Sequence, residues 1–221
     1  MFKKLRDPVS GLTHLGAAIA ALVGLVFLVG IGHDSLIKAI SLAIYGLSLV
    51  LMFTASAAYH LIQPDPQRSG SPPLNVLRKL DHSAIYVLIA GTYTPICLHF
   101  FRGFWQWGMV GIIWGIAIVG IGAKVGMHKT PRWLSAGLYV LMGWLALLAG
   151  KEIVAAMPLW ALIWLLLGGV LFTVGAVVYV TRWPDLYPGR FGFHEVWHLF
   201  VILGCACHYI IMAAFVAPSA I

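Results

Sequence analysis

The five residues His194-Glu195-Val196-Trp197-His198 set two imidazoles four positions apart. On an α-helix this spacing puts both rings on one face, one turn above the other. One helix can then offer two nitrogens to a tetrahedral metal ion. The string also satisfies H-E-x-x-H, the pattern in which a metalloprotease uses the glutamate as general base. The plainer alternative is a pair of polar residues closing an apolar helix. The surroundings weigh against it, because ionisable side chains in a membrane segment are costly and usually functional.

The composition decides what elements hold these residues. Of 221 residues, 61% are hydrophobic and 10% charged, against about 25% charged in a soluble domain. An integral membrane protein is predicted. Runs of about 20 apolar residues cross a bilayer as helices. Seven are predicted, at Leu12–Ile31, Leu36–Ile62, His82–Phe100, Trp105–Lys124, Trp133–Gly150, Leu159–Thr181 and Phe193–Val216. The expected fold class is all-α, a seven-helix transmembrane bundle. It forms one domain over residues 1–221, with no separate soluble domain. The opening Met-Phe-Lys-Lys-Leu-Arg mimics a signal peptide, but the run after it is too long and more spans follow. It is expected as a retained first helix. Cys97, Cys205 and Cys207 lie in apolar stretches and read as small core residues.

The chain holds 14 Lys+Arg against 7 Asp+Glu. No basic patch has interleaved aromatics, so no nucleic-acid partner is expected. Orientation explains the charges better. Lys3, Lys4, Arg6, Arg68, Arg78, Lys79, Lys124, Lys129, Arg132, Arg182 and Arg190 fall at one end of the spans. Only Lys38, Arg102 and Lys151 fall at the other. By the positive-inside rule the N-terminus is expected in the cytoplasm and the C-terminus outside. The expected location is the cell membrane, multi-pass. Trp105, Trp107, Trp133, Trp160 and Trp183, near span ends, read as interface anchors. Pro95 is expected to kink the third helix.

Polar residues from three spans then fall at one depth. His60 ends the second span, with Ser56 one turn before it. Asp81 opens the third, followed by His82. His194 and His198 open the seventh. At 1.5 Å rise per residue, each lies within roughly 10 Å of a cytoplasmic loop. Three neutral imidazoles make a suitable Zn²⁺ set with a fourth position for water. Asp81 is placed to hydrogen-bond that water, to ligate, or to orient a histidine. Ser56 shares a helical face with His60 and is a candidate to orient water or a substrate carbonyl. A helix–helix hydrogen bond is the alternative. His14 is a candidate for the rim of the site, against ordinary packing. His208 lies about 15 Å deeper along its helix and is excluded. His33, His99 and His128 are expected to be solvated.

The strings Ser56-Ala57-Ala58-Tyr59-His60, Lys79-Leu80-Asp81-His82-Ser83-Ala84-Ile85-Tyr86, Gly91-Thr92-Tyr93-Thr94-Pro95 and His194–His198 resemble the hemolysin III proteins of bacteria. That group belongs with the progestin and adipoQ receptors and, more distantly, the alkaline ceramidases. The resemblance covers nearly the whole chain. It implies a seven-helix bundle with zinc held by His60, His194 and His198, and it matches Asp81 and Ser56 to the family's other polar positions. Family members often open with a Glu and an Asn ahead of a Ser/Thr-His pair. Here Asp7 and Ser10 stand ahead of Thr13-His14.

Several functions are then open. The first is a zinc-dependent hydrolase of a membrane lipid amide, with zinc acidifying water and Asp81 as base. The ceramidase resemblance implies it. The second is a receptor or regulator of membrane lipid composition in which zinc clamps helices. A cytolytic pore follows from the family name alone, and a compact apolar bundle has no evident water-filled lining. An intramembrane protease requires a third ligand downstream. Only 23 residues follow His198 and none is acidic, while Val201 and Gly204 stand where a longer protease motif needs Gly and His. Glu195 is therefore expected to reach water or pair with Arg190 and not to act as base.

Overall fold

The computed structural model describes residues 5–63, 72–126, 130–187 and 191–219. Among them the chain is helical throughout, with no β-sheet. Its helices are α1 (Pro8–Ile31), α2 (Leu36–Leu61), α3 (Pro72–Phe100), α4 (Phe104–Gly126), α5 (Arg132–Trp144), α6 (Gly150–Ala156), α7 (Leu159–Thr181) and α8 (Phe193–Ile211). A 3₁₀ stretch, Leu145–Ala149, joins α5 to α6, and a π-type stretch, Met212–Val216, extends α8. Seven spans are long and apolar enough to cross a membrane, α5 and α6 together making the fifth.

Sequential spans pack as neighbours: α1 on α2, α2 on α3, α3 on α4, and α7 on α8. Contacts of α8 with α1, of α7 with α5 and of α5 with α3 close the bundle. α3 is the central helix and the most deeply buried of the seven spans among the described residues. Ile19, Leu22, Val23, Val26 and Phe27 on α1 are exposed. In water such a stripe would drive aggregation; facing lipid, it is the surface a bilayer requires. Trp107, Trp133, Trp160 and Trp183 are exposed, whereas Trp105 packs against the core. The three cysteines are buried and free.

Two boundaries depart from the sequence expectation. α3 starts at Pro72, well before His82. Proline suits the first helical turn, where its missing N–H is no loss, so the helix enters the segment read as loop. Asp81 therefore lies more than two turns inside α3 and does not open it. The fifth span is broken where one helix was expected. The hydroxyl of Tyr93 donates towards the carbonyls of Gly143 (2.7 Å) and Met142 (3.2 Å), and accepts from the N–H of Ala146 (2.7 Å). A buried backbone group without a partner is costly, and one phenol serves several groups at this break. α3 continues through Pro95.

At the bundle end away from the N-terminus, Lys38 is buried, not solvated. Its ammonium lies 2.6 Å from Asp34 Oδ1 and donates to the carbonyl of Ser219 at 2.5 Å. His99, expected in solvent, is half-buried and meets the Ser219 hydroxyl at 3.0 Å. His33 is exposed, as expected. His128 lies outside the described residues.

Candidate metal centre

Two helices bring the candidate ligands together. His60 sits in the last turn of α2, and His194 and His198 in the first two turns of α8. Each offers one ring nitrogen, and these three atoms lie within 4.8 Å of one another. Nε2 of His60 and Nε2 of His194 are 3.3 Å apart. Two vertices of a tetrahedron with bonds of about 2.0–2.1 Å lie roughly 3.3–3.4 Å apart. His60 and His198 are buried, and Nδ1 of His198 has no hydrogen-bond partner among the described residues. A buried orphan nitrogen beside two convergent imidazoles fits a bound cation. The donor set, nitrogen without thiolate, suits a borderline ion such as zinc.

The N-terminal segment locks His60 in place. The backbone N–H of Asp7 donates to the His60 carbonyl at 3.0 Å. Asp7 Oδ2 lies 3.0 Å from His60 Nδ1 and accepts from Arg6 Nε, also at 3.0 Å. A carboxylate only accepts, so Nδ1 carries the hydrogen and Nε2 keeps its lone pair for the site. The His60 hydrogen bond holds the Asp7 carboxyl down at about 2, against the opposing effect of partial burial; Arg6 adds to the lowering. Arg6 in turn covers the Tyr59 ring at 4.1 Å. Gly11 lets α1 come this close: a Cβ there would lie 2.5 Å from Leu61 and 3.4 Å from His60 Cβ.

Glu195 has a different task. Oε1 accepts from the Ser10 hydroxyl at 2.8 Å, and Oε2 from the Gly192 N–H at 2.9 Å. It caps α8 and ties it to α1. Arg190, its expected partner, lies outside the described residues.

Asp81 and Ser56 stand beside the cluster, outside the three-histidine set. Both are buried, and the Ser56 hydroxyl lies close to the Asp81 carboxylate. With His14 they form the polar end of a cavity of about 320 Å³. Its remaining wall is mostly apolar, interrupted by His82, Thr92, Ser135 and Thr173, and reaches Ile153, Leu165 and His208. His208 stays apart from the cluster, with Nε2 3.4 Å from the Leu165 carbonyl. A second hollow, about 300 Å³, lies on the loop side and is lined by Arg6, Asp7, Asp185, His194 and Glu195. The histidine cluster thus lies between a polar hollow and an apolar cavity.

The sequence reading missed Arg6, Asp7 and Ser10 as part of the site and left His14 open. The His14 ring stacks on His198, with centroids 3.8 Å apart and planes 14° apart. An acid and a hydroxyl just before an apolar span was the available signal. Only packing tells which distant residue they meet.

Residues 2–209 match the family described as Haemolysin-III related. The chain is 34% identical to Hemolysin-3 of Bacillus cereus, over 96% of this chain and 92% of that protein. It is 32% identical to the Hemolysin-3 homolog of Bacillus subtilis, over 95% and 93% respectively. An ADIPOR-like receptor of Saccharomyces cerevisiae is 30% identical over 69% of this chain and 52% of its own length. A family match over nearly the whole chain, joined to seven apolar spans and a three-histidine cluster, makes this chain a multi-pass membrane protein of the haemolysin III-related family.

Proposed function

We propose that this chain is a zinc protein of the cell membrane that hydrolyses an amide bond in a membrane lipid. The observation that carries the reading is the meeting of two features at Ser56 and Asp81. An apolar cavity of a size for an acyl chain ends there, beside the histidine cluster. His60, His194 and His198 are the ligands in this reading. Bound there, zinc supplies an acidified water and a polarised carbonyl. Asp81 takes a proton from the attacking water and returns it to the leaving nitrogen, and Ser56 holds the Asp81 carboxylate in place. The apolar wall seats the chain of the substrate and excludes bulk water. The polar hollow beside His194 supplies water from the loop side. Residues 1–221 act as one domain, with the N-terminus cytoplasmic.

A second reading has its own observation. The three histidines do not line the apolar cavity, although His14, Ser56 and Asp81 do. Zinc would then clamp α2 to α8, and the lipid would act as a ligand of a receptor or regulator. The relative named as a receptor supports it. One experiment separates the two. The purified protein is given long-chain lipid amides with zinc present or chelated, and released fatty acid is measured. Zinc-dependent release that Asp81→Ala abolishes supports the hydrolase. Lipid binding without release, in a zinc-replete protein, supports the receptor.

A further inference from the structure

Arg78, Lys79 and Lys124 gather where α3 begins and α4 ends. Lys79 Nζ donates to the carbonyl of Val125 at 2.6 Å, beside Lys124 in the chain. Lys124 Nζ donates to the Ser135 hydroxyl at 2.5 Å and so links α4 to α5. Arg78 is exposed and lies close to Lys124, and both lie close to His82.

None of the three cations forms an ion pair among the described residues. The carboxylates at this end of the bundle are placed elsewhere. Asp81 lies 3.7 Å from His82, beside Ser56 at the cavity. Asp7 holds His60, Glu195 holds Ser10 and Gly192, and Asp185 lies against Gly192. The C-terminus of α4 offers about half a negative charge, against three positive ones. Like charges held together repel, and a half-buried ammonium resting on a neutral hydroxyl is costly. The imbalance calls for an anion from outside the chain.

The position says which anion. The cluster lies where apolar spans end, and Ile118, Val119 and Val125 on the adjoining part of α4 are exposed. A ligand that meets both surfaces carries negative charge at one end and acyl chains at the other. Basic pockets between membrane helices take lipid head groups in this way. The guanidinium offers a fork of donors to phosphate oxygens, and the ammonium a point charge.

We propose that Arg78 and Lys124 hold the phosphate of an anionic phospholipid whose chains lie along α4. The site is separate from the histidine cluster, and it stands or falls without the hydrolase reading.

The test uses the zinc-loaded full chain in neutral detergent, with bound lipid counted by native mass spectrometry. Dioleoylphosphatidylglycerol and dioleoylphosphatidylcholine have the same chains and differ in net charge. Each cation near the surface contributes about fivefold, so the first phosphatidylglycerol should bind roughly thirtyfold tighter. Lys124→Gln keeps a donor for Ser135, and Arg78→Gln changes an exposed side chain. Each should lose about fivefold of that preference and keep its zinc. Arg182→Gln removes a charge at the same end of the bundle, on α7, and should keep the whole preference. Inorganic phosphate in large excess should leave the lipid bound. Equal binding of the two lipids to the wild type overturns the proposal. So does an Arg182→Gln loss as large as that of Lys124→Gln, which would mean that bulk charge alone attracts the lipid. A preference unchanged in Arg78→Gln, or lipid displaced by inorganic phosphate, also overturns it. The Arg78→Gln result decides alone if Lys124→Gln does not fold.

Discussion

Asp7 Oδ2 stands 3.0 Å from Nδ1 of His60, across 53 positions of sequence. The carboxylate chooses the tautomer of a candidate ligand, and its own backbone N–H grips the same residue. Partners of this kind typically contribute 10- to 100-fold to metal affinity. Asp7→Asn should therefore weaken zinc binding by roughly that factor, read by competition with a chelator of known affinity. An unchanged affinity would mean that the contact is only structural.

The same contact sets an acid limb. The Asp7 carboxyl is held at about 2 in the fold against 3.8 ordinarily. A depressed carboxyl contributes stability that is complete above the ordinary value and is lost as pH falls towards the folded one. The melting-temperature gap between wild type and Asp7→Asn should hold from neutral pH down to about 4 and shrink between about 4 and 2. A gap that stays constant across this window would rule Asp7 out as its source.

Metal analysis of the purified protein should find about one zinc per chain, from one three-nitrogen site. His60→Ala, His194→Ala and His198→Ala should each lose most of it. Equal zinc in all four proteins would sink the ligand assignment.

Glu195 and Asp81 should separate in function. Glu195 has both oxygens occupied by Ser10 and Gly192, while Asp81 lines the cavity. Asp81→Ala should abolish lipid-amide hydrolysis, and Glu195→Gln should largely spare it. Glu195→Gln exchanges one acceptor oxygen for a donor, so a stability loss of about 1 kcal/mol is expected. If Glu195→Gln keeps its zinc yet loses activity, and Asp81→Ala does not, the protease-like use of the motif is correct.

Tyr93→Phe should destabilise the protein by about 1–3 kcal/mol, because Ala146 N–H and the carbonyls of Met142 and Gly143 lose their shared partner. Thermal unfolding in detergent measures it. A wild-type melting temperature would show that the break in the fifth span closes without the phenol.

The chain's own composition determined the architecture. Uninterrupted apolar runs of span length have one viable conformation in lipid, because only a helix satisfies every backbone group within its own segment. The spans Leu159–Thr181 and Phe193–Val216 therefore stand where hydropathy alone set them. Local spacing likewise put His194 and His198 on one face of one helix. Their convergence with His60 was inferred from depth, and packing of α2 against α1 and of α1 against α8 makes it a cluster. Local pattern could not supply what depends on contact between distant residues. Asp7 meets His60, Ser10 meets Glu195, Tyr93 enters the fifth span, and His14 stacks on His198. A hydrogen bond or a ring stack is decided within about 4 Å, and that distance is set only when whole helices have docked.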